Sequence, residues 1–223
     1  LSYIDALMKL GQTADAKVVF DLAKDAGAKS DAFDQLEKRL ALPSANLQDP
    51  PQEQFQPIIN LFNQGQLQPA LSLATEMLER FPDSVTLYNI TGAANAGLMQ
   101  YDAAVESFKQ ALRIKPDYAD AYNNMGVSLN DKGDVEAALD SYKQALIIKP
   151  DYFEAYCNMG IALKGKGDLE KAIDCYKQAL QIKPDYAAAY NNMGIALQGQ
   201  GDLGSAIDCY HQALKTDPDN AEV

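Results

Sequence analysis

ADAYNNMGVSLNDKGDVEAALDSYKQALIIKPDY, residues 119–152, is the stretch on which the fold turns. Tyr122, Met125, Gly126 and Leu129 fall at i, i+3, i+4 and i+7, one face of a helix. Gly133 then supplies a helix stop and Asp134 the N-cap of the next helix. In that second helix Ala138, Leu139, Tyr142, Ala145 and Leu146 again form one stripe, and Pro150 forbids its continuation. Gly126, Ala138 and Ala145 are small enough for close helix approach, while the tyrosines fill the space between. The stretch predicts an antiparallel helix pair that cannot bury its apolar face alone.

The same wording returns on both sides. Copies at 153–186 and 187–220 match it at most positions, and copy 85–118 keeps Tyr88, Gly92, Ala104, Phe108, Ala111 and Pro116. Copy 51–84 is weaker but holds Ala70 and Pro82 in register, with Gly65 at the turn. A fixed period of this size signals stacked units sharing one continuous core. The expected fold is all-α: a right-handed solenoid of stacked antiparallel helix pairs.

The pattern resembles the tetratricopeptide repeat, whose outline is W-x2-L-G-x2-Y…A-x3-F…P. Here Tyr stands for the opening Trp, Met for the first Leu and Leu for the next Tyr, and Tyr often replaces Phe. These exchanges keep bulk at bulky sites, and the Gly, Ala and Pro sites persist from 85 to 220.

Before the array the reading is different. Residues 1–42 are helical by pattern but out of register. Gly11, Ala16, Phe20 and Ala23 have the spacing of a repeat's second half, and Asp31 to Leu40 reads as an extra short helix carrying Phe33, Leu36 and Leu40 on one side. Residues 43–51, rich in turn formers and ending in Pro50-Pro51, are expected to be a stiff linker. The start has no signal-peptide pattern, and Ala221-Glu222-Val223 reads like the opening of another copy, so the expectation is a fragment cut at both ends.

With 19 basic against 31 acidic side chains the net charge is −12, which argues against a nucleic-acid backbone or an anionic membrane as partner. No apolar run is long enough to span a bilayer. Three cysteines without a CxxC pair fit a reducing compartment, and the expected location is the cytoplasm.

Candidate binding residues come from the helical wheel, numbering each copy from its first residue. Positions 4, 7, 8 and 11 are core; positions 2, 5, 6, 9, 12 and 13 form the opposite arc, which becomes a groove in a stacked array. Position 6 is Asn124, Asn158 and Asn192, with Ile90 in the earlier copy; position 5 is Asn89, Asn123, Cys157 and Asn191. Position 9 is Val127, Ile161 and Ile195, and position 2 includes Asp120 and Glu154. Side-chain amides offer a donor and an acceptor to the backbone of an extended peptide without demanding its sequence. The competing reading has the asparagines solvated or tying neighbouring helices together, and the aliphatic row packed between first helices. This ladder resembles the asparagine-lined inner surface of O-GlcNAc transferases. The carboxylate clamps that hold chaperone C-termini use Lys and Arg at positions 2, 5 and 6, which are absent there in the four clearest copies; Asp120 and Glu154 favour a neutral or basic partner.

Other signals carry less. Gly160-x4-Gly165-Lys166 lacks both the Ser/Thr and the preceding strand of a phosphate-binding loop. Asp134, Asp168 and Asp202 are read as N-caps; Glu106/Lys109, Asp140/Lys143 and Asp174/Lys177 as i,i+3 pairs on a solvated face. His211 is the single histidine, so a Cys/His metal site lacks ligands, and no cofactor or catalytic residue is expected. The leading expectation is a non-catalytic interaction scaffold holding a peptide or partner protein. The alternatives are the substrate-recognition part of a larger transferase with its catalytic domain beyond residue 223, which near-identical copies resembling arrays beside bacterial sulfotransferase and glycosyltransferase domains imply, and a self-associating module. In the last, Ala206, Ile207, Tyr210 and Leu214 of the uncapped final copy would join homo-oligomers.

Overall fold

Each predicted half-unit becomes one helix. The computed structural model describes residues 49–217 together with Val19, Phe20, 22–24 and Phe33. Five helix pairs follow one another: α1 (Gln52–Asn63) with α2 (Leu67–Arg80), α3 (Val85–Gly97) with α4 (Tyr101–Ile114), α5 (Ala119–Lys132) with α6 (Val135–Ile148), α7 (Phe153–Lys166) with α8 (Leu169–Ile182), and α9 (Ala187–Gln200) with α10 (Leu203–Thr216). Every helix packs on its own partner, and each second helix also packs on the first helix of the next pair. The result is an α-solenoid without a strand among the described residues.

The core repeats with the sequence. Phe108, Tyr142 and Tyr176 are buried aromatic wedges of the second helices, each set against a glycine of its own pair's first helix. A Cβ placed on Gly92, Gly126 or Gly160 would lie 2.6 Å from the facing ring edge, so only glycine allows this approach. Leu169 reaches across to the next pair, where Gly199 leaves room for it. Ala138, Ala145, Ala172 and Ala179 are fully buried, keeping the helix axes close.

Turn chemistry is only partly as expected. Gly65, Gly133, Gly167 and Gly201 all take positive φ at the end of a first helix, and the following amide closes the turn, as in Asp134 N to Leu129 O at 2.8 Å. In the second copy Met99 fills this place at φ 59 with the same closing bond, Gln100 N to Asn95 O at 2.8 Å. Left-handed backbone costs a side-chain-bearing residue about 1–2 kcal/mol, part of which glycine returns through its unfolded-state freedom. Met99 is 76% exposed and contributes little packing. Met99→Gly is therefore expected to stabilise the array by about 0.5–1 kcal/mol, read as a higher denaturant midpoint; a lower midpoint would contradict this account.

Asp134 and Asp202 cap their helices by accepting from Ala137 N and Ser205 N. Asp168 stands at the N-cap of α8 as expected, but its carboxylate is engaged chiefly by the Lys171 side chain, which holds it below the ordinary carboxylate range. Glu106 accepts from Gln110 rather than pairing with Lys109, whereas Asp140–Lys143 and Asp174–Lys177 form as expected. Two pairs unforeseen from sequence, Lys132–Asp102 and Lys166–Glu136, join neighbouring units. Gly160 of the apparent phosphate motif sits mid-helix against Tyr176.

Of the expected linker, Asp49 to Pro51 is described, and it is tied to the array: Asp49 accepts from Ser84 Oγ, Thr86 N and Thr86 Oγ1. Residues 43–48 lie outside the described residues, as does most of 1–42. Within the latter, Phe20 and Phe33 stack with ring centroids 4.2 Å apart, both buried. No helix among the described residues is long and apolar enough to cross a membrane.

Candidate functional site

Curvature decides which face is the groove. First helices of successive pairs touch directly, α3 with α5, α5 with α7 and α7 with α9, while second helices make no comparable contact with each other among the described residues. A stack whose units approach on one side and spread on the other bends toward the first side. The first helices thus line the inner face; of the predicted arc, positions 2, 6, 9, 12 and 13 keep some exposure, while position 5 is buried at Asn123 and Cys157, turned into the packing between helices.

The asparagines on that face are bonded to one another. Asn158 Nδ2 donates to Asn123 Oδ1 at 3.0 Å, Asn123 Nδ2 to Asn124 Oδ1 at 3.3 Å, and Asn124 Nδ2 to Asn89 Oδ1 at 3.1 Å. Position 6 of one copy therefore bonds position 5 of the copy before it, 35 residues back. At the next step position 5 is Cys157, a weak acceptor, and the chain of amides stops. Asn192 instead accepts from Lys164 Nζ at 3.0 Å and donates to Ala188 O at 2.9 Å. The tying of neighbouring helices, the competing use of the ladder, is thus a fact of the structure. It consumes part of each amide's capacity and fixes the rest in place.

Asn123 is 6% exposed, and its amide serves the ladder alone. Asn89, Asn124, Asn158, Asn191 and Asn192 are half-buried. Beside them the aliphatic row divides. Val127 is half-buried against the core, whereas Ile161 and Ile195 are 36% and 42% exposed. Asp120 is exposed and Glu154 half-buried, and neither joins an ion pair among the described residues. Burial, and then the neighbouring Asp120 carboxylate, hold the Tyr152 hydroxyl well above its ordinary range. Sequence reasoning passed over Lys164 at position 12, a cation of the inner face beside Asn192, and Ile59 at position 9 of the first copy.

The thiols offer no reactive group here. Cys157, Cys175 and Cys209 are free and buried, and burial pushes Cys157 and Cys175 up to about 11. The linkage runs one way. Between about pH 9 and 11 an unfolded chain releases thiol protons that the folded chain retains, so stability is complete below pH 9 and falls as pH rises toward 11. Buried Tyr142 and Tyr176, also raised mainly by desolvation, extend the loss further. Denaturant midpoints are expected to be level from about pH 7 to 8.5 and to decline above about 9; a midpoint rising in that window would refute the assignment.

Two family descriptions match this chain: "TPR repeat" over residues 100–129, 128–167 and 162–201, and "Tetratricopeptide repeat" over 187–220. No curated protein sequence matches it. Among solved structures, it is similar to TTC0263, described as a thermophilic TPR protein in Thermus thermophilus, with 23% identity and a TM-score of 0.65 over 76% of this chain and 92% of that one. MamA from Desulfovibrio magneticus RS-1 has 20% identity and a TM-score of 0.65 over 75% and 95%. YrrB, described as a TPR protein with an unusual peptide-binding site, has 21% identity and a TM-score of 0.58 over 86% and 95%. Wedge glycines, capped pairs and matched repeats agree: the chain belongs to the tetratricopeptide repeat family.

Proposed function

We propose that the inner face holds an extended segment of a partner protein, with the half-buried amides of Asn124, Asn158, Asn191 and Asn192 meeting its backbone and Ile161 and Ile195 covering its apolar side chains. The family membership makes the chain a protein–protein interaction scaffold; the choice of face is our reading. The observation that carries it is the exposure of Ile161 and Ile195 beside amides held by their own bonds, Asn158 in the ladder and Asn192 by Lys164 and Ala188 O. Preset donors and acceptors bind without the ordering cost of free side chains. With Asp120 and Glu154 in no ion pair among the described residues, the favoured partner is neutral or basic, and the chain contributes recognition rather than catalysis.

The test selects phage-displayed random dodecapeptides on the immobilised chain and measures each by anisotropy against the parent and Ile161→Ser/Ile195→Ser. These side chains are solvent-facing, so the fold is expected to persist. A tenfold or greater loss supports the reading; unchanged affinity removes the inner face from it. The same surface serves equally as the substrate-selecting region of a larger transferase. Sequencing the gene past residue 223 separates the two settings.

A second reading concerns the last helix. Leu169, Ile173 and Leu180 of α8 lie in or against the core cluster that takes in Ala189 and Ala196 of α9, but their equivalents Leu203, Ile207 and Leu214 on α10 face solvent at 59%, 54% and 40%. Such a face seats a further helix, a second copy's included. This 223-residue chain is expected to self-associate at tens of micromolar in light scattering, and Ile207→Lys to return it to monomer; a parent that stays monomeric ends this reading.

A further inference from the structure

The inner face is not uniform along its length. Between α1 and α3 it opens into a cleft of about 190 Å³, lined by Ile58, Ile59, Phe62, Asn63, Asn89, Ile90 and Ala93. Two sequence departures make it apolar. Position 6 is Ile90 where the last three copies carry Asn124, Asn158 and Asn192, and position 12 is Phe62 where they carry Asn130, Lys164 and Gln198. α1 and α3 also make less direct contact here than joins the later first helices. A cavity of about 150 Å³ accepts a benzene ring, so this cleft has room for one large side chain.

Its rim is polar in a useful way. Asn89 gives its carbonyl to Asn124, which leaves Nδ2 for an incoming carbonyl, and Asn63 is exposed opposite. Further along the same face come Asp120 on α5 and Glu154 on α7, carboxylates without an ion-pair partner among the described residues, in a chain of net charge −12. Adjacent packed helices lie about 8–10 Å apart, and extended chain advances about 3.4 Å per residue. From the cleft to these two carboxylates is therefore about three to six residues.

We infer that the partner segment is anchored by a Phe, Leu or Met side chain in the α1–α3 cleft and carries a Lys or Arg about three to six residues away, facing Asp120 and Glu154. This rests on the inner-face reading above and specifies its ligand. The bound segment runs along the amides with its one deep contact at the end nearest residue 51. Apolar burial in the cleft supplies affinity, and the carboxylates supply preference and a salt-dependent association rate.

Four labelled decapeptides of Gly/Ser background test it by anisotropy on the intact chain: one with Phe and, five residues on, Lys; one with Phe replaced by Ala; one with Lys replaced by Glu; one with neither. The first is expected to bind at least tenfold more tightly than the second and severalfold more tightly than the third, the latter gap closing in about 0.5 M salt. Phe62→Asn/Ile90→Asn, which writes the later copies' kind of residue into the cleft, is expected to abolish the Phe preference and leave the Lys preference. Ala93→Leu, which enlarges a lining side chain into the cleft, should do the same, and a thermal melt shows that each variant is folded. Equal binding of the Phe and Ala peptides, or a Phe preference that survives both variants, overturns the inference. If that preference fails while Ile161→Ser/Ile195→Ser still weakens the phage-selected peptides, the groove reading stands without this anchor; loss of both effects removes the two together.

Discussion

Tyr142→Ala is expected to lower stability by about 3–5 kcal/mol, the range for deleting a fully buried aromatic side chain from a packed core. Tyr142 is 1% exposed and belongs to the cluster that reaches from the second helix pair to the fifth. Its ring lies against Gly126, a position with no side chain to move into the space left behind. The backbone there is helical and stiff, so the cavity would persist. In a solenoid each unit leans on its neighbours, and damage at the middle unit uncouples the two ends. Unfolding should change from one transition to two, and amide exchange should accelerate first in 119–152. A loss below about 1 kcal/mol with a single transition would show that the wedge is not what joins the units.

Gly160→Ala tests the other half of the same joint, with an expected loss of about 1–3 kcal/mol from overpacking. The new methyl would sit 2.6 Å from Tyr176 Cε1, and both partners are buried in helices with no open direction of retreat. On helix propensity alone the substitution would stabilise by roughly 1 kcal/mol, so the sign of the result discriminates. In a Tyr176→Leu background the penalty should shrink, because the ring edge that the methyl meets is gone; this is a double-mutant cycle with a defined direction. A Gly160→Ala variant more stable than its parent would mean that the helices separate without cost.

These joints are legible in the amino-acid sequence itself, because Gly126 and Tyr142 lie on predicted faces and repeat at one spacing. The five helix pairs and the turn glycines follow from the same periodicity. Met99 shows where that reading stops: its positive φ is imposed by the turn it shares with Gly133 and Gly167, and nothing in the methionine itself announces it. The groove is half legible. A wheel places Asn124 and Asn158 on the arc away from the core, but it cannot say whether an amide reaches its neighbour or the solvent. That depends on the offset between stacked units, which sets position 6 opposite position 5 of the preceding copy. The Lys132–Asp102 and Lys166–Glu136 pairs depend on the same offset. The α1–α3 cleft escapes a sequence reading because Ile90 looks like an exception to the asparagine row, and its meaning emerges only with Phe62 beside it.

The ladder's two bonds between copies span 35 residues, position 6 to position 5 of the copy before, and the staples between Lys132 and Asp102 or Lys166 and Glu136 span 30, position 14 to position 18 of the copy before. Duplicating the copy 119–152 would leave each such bond a partner at the same distance along the chain, whereas an insertion of another length there would put the residues on either side out of register. Array length can therefore vary in evolution by unequal exchange without repacking the interior, and a lengthened array extends its inner wall one helix at a time.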